Sequence, residues 1–94
     1  MTTDSKSSVR SSYDEIGDVL YVSLPAIKIR RTKTNEVEEG LVLRYDLETN
    51  NPVGVTVIDY KEAWLPEMRT HLVDRLSHFF GISQASARRL TRVS

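Results

Sequence analysis

Glu67, His71, Asp74 and His78 recur at helical spacing and fall on one stripe, a pattern that places two imidazoles and two carboxylates on the same side of a helix. Imidazole nitrogen and carboxylate oxygen both ligate zinc. The reach is wrong for a single ion, because His71 and His78 stand two turns apart, about 10 Å along the axis at ~1.5 Å per residue. A solvated helix face is the expectation, with no metal and no cofactor assigned. Asp14, Asp18, Asp46 and Asp59 form a second set, since clustered carboxylates can hold a hard cation or work as acid and base. Each falls at a strand end or turn, where Asp accepts from neighbouring backbone amides, so the set reads as structural. There is no Gly-x-Ser-x-Gly elbow, no Ser with an evident His partner and no Gly-rich phosphate loop. No catalytic residue is assigned, and the chain is read as a non-enzyme.

The C-terminal third carries a different signal. Leu76 to Leu90, LSHFFGISQASARRL, reads as a helix-turn-helix, with small Ser77 where the helices cross, Gly81 in the turn, and Ile82, Ala87 and Leu90 as packing positions. From Gly81 onward there are three arginines and no acid. In that geometry Gln84, Ala85 and Arg88 face base edges, while Arg89 and Arg92 reach phosphates. The alternative is a plain helical hairpin with a basic solvent face. Acidic residues gather elsewhere, at Glu36, Glu38, Glu39, Asp46 and Glu48, against Arg69, Arg75, Arg88, Arg89 and Arg92. Patches of opposite sign steer two different partners or pair the protein with itself. Glu36, Glu38 and Glu39, together with Trp64, Phe79 and Phe80, are therefore the candidate contact for a basic protein partner. The same three aromatics motivate a homo-oligomer, expected as a dimer, because aromatic residues are favoured in interface cores.

These residues need a scaffold. Ninety-four residues make one domain with a modest core, and Lys plus Arg equals Asp plus Glu at 13 each, so net charge points to no partner. Cysteine is absent, which excludes disulfides and thiolate metal sites. No apolar run of ~18 residues and no secretory h-region is present, so no membrane partner is expected and the location is read as cytoplasmic. Residues 1–8, MTTDSKSS, are polar and read as a disordered tail. Residues 9–64 read as the sheet domain and residues 65–94 as a helical pair packed on it or extending it.

The sheet is organised around Gly40 to Tyr60, in which Leu41, Leu43, Tyr45 and Leu47, then Val53, Val55 and Val57, alternate with other residues at the period of half-buried strands. With Glu48 to Pro52 as a five-residue loop, Leu47 faces Val53, Tyr45 faces Val55 and Leu43 faces Val57, placing all seven apolar side chains on one face. A one-residue slip would set Arg44 and Asp46 beside valines. Val9 to Tyr13 is a short strand candidate and Asp18 to Leu24 a clearer one, joined by a turn in which Gly17 supplies a positive φ; Pro25 ends the second strand. Ile27 to Val37 is a weaker candidate whose charges suit an edge strand. Beyond Tyr60 the period changes: Leu65, Met68, Leu72, Leu76 and Phe79 lie on one stripe of a helix opened by Pro66 and stopped by Gly81. Ser83 then caps a second helix over Gln84 to Arg92. The resulting fold class is α+β, an antiparallel meander of three to four strands packed by one or two C-terminal helices.

The order and spacing of Tyr13-Asp14, Asp18-Val19-Leu20-Tyr21, Leu24, Glu36-Val37, Gly40, Tyr45-Asp46, Val53-Gly54-Val55 and Ile58-Asp59 resembles a small prokaryotic family, domain of unknown function 2283, over about Tyr13 to Trp64. The resemblance implies a compact antiparallel-sheet module, and some relatives are encoded as the antitoxin half of toxin-antitoxin pairs. It brings no catalytic residue and does not reach Leu65 to Ser94. The functional expectation is a small binding module, antitoxin-like, that meets a basic protein partner and DNA through its C-terminal helices. A structural homo-oligomer with no nucleic-acid role is the alternative.

Overall fold

All five strand candidates pair over their described residues. In the computed structural model, which describes residues 9–24 and 31–92, β1 (Arg10–Asp14), β2 (Val19–Ser23), β3 (Thr32–Glu38), β4 (Leu41–Asp46) and β5 (Pro52–Ile58) build one antiparallel sheet in the order β1-β2-β5-β4-β3. The expected three to four strands are corrected to five. The N-terminal segment closes a hairpin on β2, and the charged third segment needs only one ladder, with β4, to stand at the edge. The tail over residues 1–8 and the first part of the third strand, residues 27–30, lie outside the described residues.

The central hairpin forms in a different register. Leu43 faces Val55 and Leu41 faces Val57, two residues from the expected pairing, and a bulge between Arg44 and Tyr45 sets Tyr45 against Pro52. A two-residue shift keeps the same side chains on the same face, so Leu41, Val55 and Val57 are buried as the alternation requires. The loop turns one residue earlier, over residues 47–51, because Asn50 takes the left-handed conformation (φ 65°) and its amide donates to the Asp46 carbonyl at 2.8 Å. Leu47 therefore leaves the face and is 45% exposed, and Tyr45 lies under Lys33 at the sheet's edge instead of in the core.

A π-helical turn (Tyr60–Trp64) follows β5, then α1 (Arg69–Phe80) and α2 (Gln84–Leu90). The first helix begins later than the Pro66 signal suggests, since that turn and the bend after it occupy residues 60–68. Its buried face is accordingly Leu72, Val73, Leu76 and Phe80, not the stripe through Met68, which is 38% exposed. Gly81 ends the helix in the left-handed conformation (φ 64°), and Ser83 caps α2 by accepting from the Ser86 amide, both as the residue types dictate. The helices cover one face of the sheet, and Leu20, Val22, Leu41, Val55, Val57, Tyr60 and Trp64 join the α1 and α2 residues in one core. Among the described residues, no helix is long and apolar enough to cross a membrane.

Candidate binding sites

Asp18 organises the junction between the sheet and everything after it. It, and not Gly17, takes the left-handed position in the β1–β2 turn (φ 57°), a conformation Asp tolerates better than most residues with a Cβ. Its carboxylate accepts from the Tyr13 hydroxyl at 2.7 Å and from the amides of Lys61 at 2.8 Å and Glu62 at 3.2 Å, while its carbonyl accepts from the Tyr60 amide at 2.9 Å. One acidic residue thus holds the first turn and the π-helical turn together. The Lys61 amide and then the Tyr13 hydroxyl hold the Asp18 carboxyl below its ordinary value, and the hydrogen bond to Asp18, followed by burial, pushes the Tyr13 hydroxyl up to about 12. Asp59 and Glu62 bring carboxylate oxygens within 4.8 Å of Asp18, but both Asp18 oxygens already accept from backbone amides. Asp14 and Asp46 accept locally, from the Ile16 and Glu48 amides. Asp59 differs: it adopts the left-handed conformation (φ 56°) before the π-helical turn and makes no side-chain cap.

The expected histidine stripe does not converge. His71 leaves it to meet Glu38, its Nε2 lying 2.8 Å from Glu38 Oε2, and its ring stacks at 9° on Trp64 with centroids 6.4 Å apart. Asp74 instead accepts from Gln84 Nε2 at 3.1 Å, and His78 lies against Phe79. Arg75 Nε stands 2.9 Å from the same Glu38 oxygen, yet it is out of line for a hydrogen bond, so the contact is ionic. Glu38 thereby ties the edge strand to α1.

Around that tie the acidic candidates separate. Glu36 accepts from the Gly40 amide at 3.0 Å, closing the β3–β4 turn. Gly40 is at φ 81°, and a Cβ there would come 3.2 Å from Trp64 Nε1, so conformation and space both call for glycine. Glu38, Glu39, Asp59 and Trp64 line one open cleft of about 380 Å³, floored by Gly40 and Ile58. Trp64 shows only its rim, being 3% exposed, and Phe80 at 5% is likewise held in the protein's own core. Phe79 is half-buried, with the Arg75 guanidinium 5.3 Å above its ring. The three aromatics therefore do not form an exposed cluster. Asp59 joins this cleft without any local sequence signal beyond its place in the Ile58-Asp59 motif.

On α2 the side chains of Gln84, Ala85, Arg88 and Arg89 are exposed while Ala87 and Leu90 pack inward; the helix ends at Leu90 and not at the expected Arg92, which is exposed two residues past its end. The Ser77 hydroxyl donates to the Ile82 carbonyl at 2.6 Å, fastening the turn between the helices, which accounts for a small polar residue at that crossing. At the other end the Tyr60 hydroxyl donates to the Thr91 carbonyl, and burial pushes that hydroxyl's pKa up. Among the described residues, no carboxylate lies within ion-pair distance of Arg88, Arg89 or Arg92.

A single antiparallel sheet covered on one face, with a polar knot at Asp18 and helices appended after it, defines a small α+β domain in which the motif residues Asp14, Asp18, Glu36 and Asp46 serve the fold. The chain belongs to the family described as protein of unknown function (DUF2283), whose model matches residues 10–61. The match ends one residue after Tyr60, so Asp18 and its partners lie within it almost entirely, and α1 and α2 lie beyond it. No curated protein and no solved structure matches the chain.

Proposed function

We propose that this protein is a non-enzymatic binding module whose second helix meets DNA. The observation supporting the reading is the state of α2: Gln84, Ala85, Arg88 and Arg89 are exposed on a capped helix that the core holds by Ala87 and Leu90, and Arg92 is exposed just past its end. Desolvating paired charges opposes binding, whereas cations with no carboxylate nearby release condensed counterions when they meet phosphates. Gln84, Ala85 and Arg88 are the base-reading candidates and Arg89 and Arg92 the phosphate contacts. Gln84 must let go of Asp74 to read a base, an exchange of one exposed hydrogen bond for another. Fluorescence titration against duplex DNA from upstream of its own gene tests this. Saturable binding is expected, with Gln84→Ala and Arg88→Ala losing about 1–3 kcal/mol on the preferred sequence and Arg89→Ala and Arg92→Ala weakening all sequences alike. Absence of saturable binding at low salt removes the reading.

The cleft of Glu38, Glu39, Asp59 and Trp64 favours a second contact, with a basic side chain of a protein partner, as an antitoxin-like role requires. The carboxylates supply the charge, and the indole rim supplies an apolar wall for a Lys or Arg stem. Tagged protein expressed in its native host is expected to bring down a stoichiometric basic partner, and Glu39→Lys to release it. Recovery of no such partner defeats this part of the proposal and leaves the DNA contact standing.

A further inference from the structure

We propose that the concavity where the π-helical turn, the start of α1 and the end of α2 meet is a binding site for a phosphate group. Lys61, Leu65, Arg69, Thr91 and Arg92 line it. Three of those five residues are cations, from the π-helical turn, the start of α1 and the segment just past α2, and none is within ion-pair distance of a carboxylate among the described residues. Like charges gathered in one concavity repel one another, so the arrangement is held in place by the fold.

The holding contacts are specific. Arg69 Nε donates to Thr91 Oγ1 at 3.0 Å, and that hydroxyl donates in turn to the Arg88 carbonyl at 2.7 Å. Thr91 is buried, and its carbonyl accepts from Tyr60, so the guanidinium is anchored to the core through Nε, and among the described residues its terminal nitrogens meet no acceptor. The Lys61 ammonium rests 5.0 Å above the Tyr13 ring, and Tyr13 is fixed by Asp18. Helix α1 begins at Arg69 with no side-chain cap and no acid in its first turn, which leaves its positive end unneutralised beside the site.

A guanidinium offers two parallel N–H groups to phosphate oxygens, and an ammonium adds a point charge. The volume, about 220 Å³, is below the range of roughly 300–1,000 Å³ typical of pockets for larger organic ligands. It suits one tetrahedral oxyanion, either free or borne on a larger molecule that extends into solvent. Arg92 is shared with the proposed DNA face, whereas Lys61 and Arg69 are not, so this site can hold or fail on its own.

Backbone amide chemical shifts of the full chain, followed during titration with inorganic phosphate at fixed ionic strength, test the site. Saturable shifts are expected at Lys61, Arg69, Thr91 and Arg92. Lys61→Gln and Arg92→Gln, both at exposed positions, should each weaken binding about tenfold. Arg31→Gln, which removes the same charge outside the pocket, should leave it unchanged. Duplex DNA added to the phosphate-loaded protein distinguishes the source: displacement assigns the group to a nucleic-acid backbone, and joint binding assigns it to a free or small-molecule phosphate. Shifts that never saturate, or that persist unaltered in Lys61→Gln and Arg92→Gln, overturn the proposal. Loss of DNA binding with the phosphate shifts intact refutes the recognition-helix reading alone.

Discussion

The acids of the sheet and the arginines of the second helix differ in what folding leaves them free to do. Asp14, Asp18, Glu36, Glu38 and Asp46 each accept hydrogen bonds or ion pairs within the chain, from turn amides, Tyr13, His71 or Arg75. Among the described residues, Arg88, Arg89 and Arg92 have no such carboxylate, and Arg89 has only the Ser86 hydroxyl at 3.3 Å. A carboxylate that already caps a turn has little left for a partner, whereas an exposed guanidinium keeps its donors. Sequence charge alone treats the two groups as equal patches. The fold uses one of them as scaffold and leaves the other exposed, as the proposed DNA contact requires, with Glu39 and Asp59 as the residual acids of the cleft.

The largest expected effect asks whether the two regions share one scaffold at all. Leu76 is fully buried between the helices and the sheet. Leu76→Ala should cost about 2–5 kcal/mol, and circular dichroism should show sheet and helices melting in one transition. Two separated transitions would break the comparison, by making the helices an independent unit.

Asp18→Asn tests the sheet side at a single carboxylate and should lower the melting midpoint by several degrees at neutral pH. Because the folded state lowers the Asp18 pKa, its contribution is present above the ordinary value of 3.8 and is lost as pH falls through the lower folded value. The gap between wild type and Asp18→Asn should therefore narrow in acid below that range. At the basic end, Tyr13 is raised, so its contribution holds below its ordinary value of 10.0 and disappears as pH passes about 12. A gap that stays constant through the acid range would mean that Asp18 does not act as a carboxylate acceptor.

Smaller effects sharpen the contrast. Glu38→Gln weakens a partly exposed ion pair and should cost up to about 1 kcal/mol. Arg89→Ala, with no ion pair to lose among the described residues, should change stability by less than about 0.5 kcal/mol. Urea denaturation of the two variants should preserve this order. Equal losses would show that Arg89 is as structural as Glu38.

Much of this division was legible in the sequence, for identifiable reasons. Alternation in Leu41 to Val57 and the caps at Gly81 and Ser83 are local signals, and local physics produced the strands and helix ends they predict. The register was not legible, because shifts of two residues leave the same faces apolar; Asn50 and the bulge at Arg44 and Tyr45 selected between them. The helix start was missed because a π-helical turn fastened by Asp18, 43 residues earlier in the chain, occupies the place where Pro66 suggested a first turn. Long-range hydrogen bonds leave no periodicity. The same limit hid the separate roles of Glu36, Glu38 and Glu39, close in sequence but directed to a turn, a helix and a cleft. Gln84, Ala85, Arg88 and Arg89 were readable as a group because one helix carries them, and Arg92 follows two residues past its end.

The salt dependence of DNA affinity tests most directly whether the unneutralised arginines form a contact surface. Each phosphate contact contributes a slope of about −0.9 when the logarithm of the binding constant is plotted against that of salt concentration. The Arg89→Ala, Arg92→Ala double variant is predicted to keep the wild-type melting midpoint and to lower the magnitude of this slope by roughly two. An unchanged slope in a folded double variant would contradict the account, because it would mean that these cations meet no phosphate.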